Sequence, residues 1–173
     1  MGKSTECYVN LFSKPGADVL AERLMDTLGG LSPLVCREAA LFAAGSVDAR
    51  VETLVNAAPD LCIAIHHDAS TSSRPHGFGA FHSTLFSADA ARYIYDATMA
   101  ANIYAADAEG NRNRFAWHYY FVARMSDCPV VLTENGFMTS PIDHLGIVDP
   151  DVNLRKAQAI AAGVAEYFLS IRL

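Results

Sequence analysis

Positive charge is in short supply in this sequence. Lysine and arginine number 13 against 19 aspartates and glutamates, for a formal net charge of −6 over 173 residues. No cationic face is therefore available to nucleic acid or to an anionic membrane. Cysteine is equally sparse. Cys7, Cys36, Cys62 and Cys128 lie far apart with no C-x-x-C spacing, and three of them sit in apolar runs. They read as reduced thiols acting as small hydrophobes. No segment approaches the roughly 20 continuous apolar residues of a membrane span. The opening MGKSTECYVN has one lysine but no apolar core of a signal peptide. As given, the chain reads as a soluble protein without an export signal. With no repeat, low-complexity tract or linker to divide it, residues 1–173 are expected to form one domain, long enough to bury roughly 70% of the unfolded surface.

Hydrophobic spacing then supplies the elements. GADVLAERLMDTLGG has Leu20, Leu24 and Leu28 at helical intervals and ends on Gly29-Gly30, a helix stop. Before it, ECYVNLFSK is compatible with a turn of helix or a strand. SPLVCRE is a candidate strand. SVDARVETLVNAAPD is a second helix with Ser46 as its cap. LCIAIHH, apolar on both faces, reads as a buried strand. GFGAFHSTLF, RFAWHYYFVAR and CPVVLTENGF are further strands. SADAARYIYDATMAANIYAAD, capped by Ser87, and DVNLRKAQAIAAGVAEYFLSI are helices. Strands alternating with helices indicate an α/β fold: a single twisted, mostly parallel sheet flanked by helices on both faces.

Two of the apolar strands end in ionisable side chains, at the place where ligands collect in such sheets. One is CIAIHHD, ending in His66, His67 and Asp68; the other is PVVLTENGF, with Glu134 directly after a buried run. A carboxylate there must be paired, metal-bound or catalytic, because an isolated buried charge is costly. A structural ion pair with an arginine is the plainer alternative. For the histidines, side chains alternate along a strand, so at most one of His66 and His67 faces a given site.

Several ordered motifs resemble the zinc-dependent N-acetylmuramoyl-L-alanine amidases, a class of cell-wall hydrolases. DARVETLVNAAPDLCIAIHHDAS is similar to that family's helix and strand ending in a zinc-binding histidine. GFGAFHS resembles its next strand. NRNRFAWHYYFVARMSDCPVVLTENGFMTSPIDH resembles the passage to its catalytic glutamate, and KAQAIAAGVAEYF its closing helix. The resemblance implies that His66 is a zinc ligand and Glu134 the catalytic residue. It also implies that Glu6, at about the place where the family's first helix opens, is a second ligand. The family's first strand and its Gly-His motif have no counterpart before Glu6. His67, His76, His82 and His118 are the histidines left to replace that ligand.

With zinc (Zn2+) as cofactor, the implied reaction is hydrolysis of the amide between N-acetylmuramic acid and the L-alanine of the stem peptide. Bound zinc lowers the pKa of its water and polarises the carbonyl, while Glu134 moves the proton. Ser70 to Ser73 and Asn135 border the site and are candidates to bind peptide. Peptidoglycan or a muropeptide is then the partner, and the bacterial cell wall the place of action. No G-x-S-x-G elbow is present for a serine hydrolase. Two alternatives stay open. One is a non-catalytic amidase-like module that binds muropeptide with an incomplete metal site; the other is a zinc amidohydrolase or peptidase acting on another small amide.

Overall fold

The computed structural model describes residues 6–11, 17–31, 38–42, 47–105, 109–118 and 128–171. Along the chain the described elements are β1 (Glu6–Leu11), α1 (Ala17–Gly29), β2 (Glu38–Phe42), α2 (Val47–Ala57), β3 (Leu61–Asp68) and β4 (Phe78–His82). There follow α3 (Leu85–Ala100), β5 (Arg114–Trp117), β6 (Val130–Phe137), α4 (Pro141–Val148) and α5 (Pro150–Ser170). Among the described residues the strands make one sheet in the order β2-β1-β3-β6-β4-β5. All neighbouring pairs are parallel except β4 with β6.

Period-two alternation along β3 divides the core. Leu61, Ile63 and Ile65 pack with Leu20, Leu24 and Leu28 of α1, Ile94 of α3, and Ile160, Val164 and Phe168 of α5. Cys62 and Ala64 pack with Leu54 of α2, Phe81 of β4, and Val130 and Leu132 of β6. Helices thus lie on both faces, and β3 and β6 are apolar on both, as expected for strands buried from two sides. Each fully buried leucine in these layers stabilises the fold by about 1.5–3 kcal/mol relative to exposure. Cys62 and Cys128 are buried and form no disulfide. Burial, then the neighbouring Cys128, pushes the Cys62 thiol well above its ordinary value. It is packing, not a nucleophile.

Several sequence expectations are corrected. The segment ECYVNL is a strand, paired with β2 on one side and β3 on the other. Of the two readings left open for this segment the strand is therefore the one adopted, and it precedes the first helix, although no counterpart of the family's first strand had been found before Glu6. The second strand is EAALF, later than SPLVCRE, of which residues 32–37 lie outside the described residues, as does Ser46. The cap of α3 is Thr84 and not Ser87; Ser87 is the third helical residue, and the two side chains close a capping box. Helix α4 was not expected, because PIDHLGIV is short and carries a glycine. Asp149 both ends it and caps α5, its carboxylate accepting from the amides of Asp151 and Val152.

Candidate active site

One cross-strand row holds the chemistry. His66 on β3 is the register partner of Glu134 on β6, Glu134 is the partner of Gly79 on β4, and Gly79 that of Arg114 on β5. Residues level with one another across a sheet leave it on the same face. His66 and Glu134 also continue the alternation of Cys62, Ala64, Val130 and Leu132, so the row opens on the α2 face. Glu134 is 6% exposed and His66 is half-buried. Gly79 provides no side chain, and the ring of Phe81 lies where one would be. The Arg114 guanidinium sits 4.9 Å from the centre of that ring and 3.4 Å from a carboxylate oxygen of Asp68.

Below this row the backbone is held from the opposite face. Between His66 and Asp68 the β3–β6 register shifts, with three residues of β6 against two of β3. Gly136, at φ +106°, takes up the extra residue in a conformation that favours glycine. The Asn135 side chain donates to the carbonyls of His66 and Thr133 and to the Thr133 hydroxyl, at 3.1, 3.2 and 2.8 Å. The Asn135 backbone carbonyl accepts from Lys156 Nζ at 3.1 Å and lies 3.2 Å from His67 Nδ1. Lys156 also donates to the Gly146 carbonyl at 3.0 Å and rests over the Tyr104 ring. Burial lowers the Lys156 pKa from 10.5 to about 8 despite the opposing pull of Asp143. Burial, then Asp143, pushes the Tyr104 hydroxyl well above its ordinary value. One Asp143 oxygen accepts from both Gly77 N–H and Phe137 N–H at 2.8 Å, tying the start of β4 to the end of β6. Sequence reading missed Lys156; its signal was a lone lysine on the apolar face of the last helix.

Of the residues singled out from sequence, the structure brings His66 and Glu134 together. Glu6 is not brought to them. It opens a strand and not a helix, and it lies level with Glu38 at the amino end of β1, one residue before the Cys7–Leu61 pair. Six residue steps along the sheet separate that level from His66, about 20 Å. His67 faces the α5 side and is fully buried, while His76 is buried with Nδ1 3.1 Å from the Arg74 carbonyl. His82 stacks on Phe115, and His118 meets the edge of Phe81. Asn135 is turned away from the row. Ser73, with Arg74, Glu109, Pro141 and Ile142, lines an open groove of about 460 Å³ between the loop after β3 and the start of α4.

Zinc sites need three protein donors or more. Among the described residues no three His, Cys, Asp or Glu side chains are grouped to hold a metal. Sequence adds to this: residues 12–16, FSKPG, and 43–46, AAGS, which follow β1 and β2, contain no such side chain. The donors among the described residues therefore fall short of a zinc centre. Likewise, no described helix is long and apolar enough to cross a membrane.

The sequence profile of the N-acetylmuramoyl-L-alanine amidase family Amidase_3 matches residues 9–166. The chain is 28% identical over 127 residues to the N-acetylmuramoyl-L-alanine amidase LytC of Bacillus subtilis (strain 168), which covers 71% of this chain and 24% of that protein. It thus spans about a quarter of that relative. Its fold is similar to that of an N-acetylmuramoyl-L-alanine amidase from Clostridium difficile 630, with a TM-score of 0.80 at 17% identity over 97% of this chain and 99% of the other. The amidase AmiC2 of Nostoc punctiforme aligns with a TM-score of 0.76 at 17% identity, over 97% and 99% of the two chains.

Proposed function

Because the chain belongs to the N-acetylmuramoyl-L-alanine amidase family, we propose that it hydrolyses the amide joining the lactyl group of N-acetylmuramic acid to the L-alanine of the peptidoglycan stem, with Glu134 as the general base. The observation that carries this reading is the pairing of buried Glu134 with His66 at the carboxyl end of two apolar parallel strands. Placing a carboxylate there makes sense for proton transfer, and it is where α/β sheets present their chemistry.

Glu134 takes a proton from the attacking water as its oxygen bonds to the carbonyl carbon. The carbon–nitrogen bond then breaks, and Glu134 returns the proton to the departing alanine nitrogen. Water is consumed, and a lactyl carboxylate and a free amine are left. The open groove lined by Ser73, Arg74, Glu109, Pro141 and Ile142 offers room for an extended chain. Family membership implies zinc, with His66 as its donor. Among the described residues no group of three donors is assembled around His66. Peptidoglycan is the partner under this reading, and the cell wall the place of action.

A second reading, a muropeptide-binding module without turnover, is favoured by the same shortage of donors. Incubating the protein with purified peptidoglycan and analysing the soluble products by mass spectrometry separates the possibilities. Free stem peptides beginning with L-alanine support the amidase. Cleavage at another amide points to a different amidohydrolase, and sedimentation with the wall without products supports the binding module.

A further inference from the structure

The row that carries Glu134 continues to Arg114, a residue for which the hydrolytic step has no use. Two strand spacings, about 9–10 Å, separate their positions. Between them lies Gly79, which has no side chain of its own and is covered by the buried Phe81 ring, so the carboxylate and the guanidinium stand on one face of the sheet with no polar side chain of β4 between them. Arg114 is 44% exposed and held by a single oxygen of Asp68 at 3.4 Å. A guanidinium has five N–H donors in a planar fork, and an ion pair this open is weak enough to admit a second anion.

We propose that Arg114 is a specificity residue that binds a carboxylate carried by the substrate about two residues beyond the scissile amide. This rests on the amidase reading, which puts the breaking bond at Glu134. Two extended residues span about 7 Å, and the reach of the two side chains takes up the remainder. A stem that continues from L-alanine into an isoglutamyl residue offers a free α-carboxylate at that distance. A stem amidated at that position, with isoglutamine, offers a neutral group instead. Asp68 would orient the guanidinium.

The test compares N-acetylmuramoyl-L-alanyl-D-isoglutamate with the isoglutamine analogue, on wild type, Arg114→Gln and Arg114→Lys. Wild type is expected to favour the carboxylate in kcat/KM by about 10–100-fold, mainly through KM, as one charge-assisted contact provides. Arg114→Gln should bring the ratio near one, and Arg114→Lys should keep part of it. A ratio near one in wild type, or an unchanged ratio in Arg114→Gln, overturns the proposal. Should wild type cleave neither compound, the amidase reading fails, and calorimetry with L-alanyl-D-isoglutamate and L-alanyl-D-isoglutamine decides the role of Arg114. Tighter binding of the carboxylate that is lost in Arg114→Gln upholds it; equal or absent binding of both overturns it.

Discussion

His66 and Glu134 are register partners on the adjacent parallel strands β3 and β6, whereas His67, one residue on, points to the opposite face and lies against the Asn135 carbonyl. His66→Ala is therefore expected to abolish peptide release from peptidoglycan with little change in thermal stability. His67→Ala removes a fully buried ring and should lower stability by about 1–3 kcal/mol through a lost contact and a cavity. Peptide release alongside thermal melts checks both. Equal loss of activity in the two variants at full stability would mean that both rings enter the site.

Zinc affinity offers a second expectation. With His66 and Glu134 standing together but no group of three donors among the described residues, binding should be weak. After dialysis against a mild chelator, the purified protein should retain well under one equivalent by elemental analysis. Stoichiometric retention would mean that residues outside the described set complete the site.

Lys156 makes stability rise with pH over a defined window. Its folded pKa of about 8 lies below its ordinary 10.5. Between these values the unfolded chain holds a proton that the folded chain has released, so stability increases as pH rises through the window and falls again as pH drops through 8. The full difference is worth about 3 kcal/mol. Tyr104, whose pKa is raised, acts in the opposite sense above pH 10. Urea unfolding at pH 7, 8, 9 and 10 should show the rise, and Lys156→Met should flatten it. An identical pH profile in the variant would show that the ammonium is not desolvated.

Asp143 fastens β4 to the end of β6 through two amide bonds to one carboxylate oxygen. Asp143→Ala leaves both buried donors without that acceptor and should cost about 2–4 kcal/mol. Chemical denaturation measures this directly, and a loss below about 0.5 kcal/mol would contradict the role.

The layered α/β fold and the His66–Glu134 pair were legible because apolar runs ending abruptly in ionisable residues mark strand ends in any such sheet. The reversal of β4 against β6 was not, since strand direction follows from connections that periodicity does not encode. Register hid Arg114 for the same reason: only the alignment of β4 with both β6 and β5 places it in line with Glu134. Glu6 was misplaced because ECYVNL suits strand and helix equally, and pairing on both sides decided for strand. Ser87 lost the capping position to Thr84 because both can cap, and the three-residue offset between them is that of a capping box.

The most direct measurement is the rate of amide cleavage by Glu134→Gln on purified peptidoglycan, with a thermal melt of the same preparation. Glutamine keeps the shape of the side chain and cannot accept the proton. Turnover is expected to fall by about 10²–10⁴-fold while the melting temperature stays within a few degrees of wild type. A stable Glu134→Gln protein that still releases stem peptides at the wild-type rate would contradict the role assigned to Glu134.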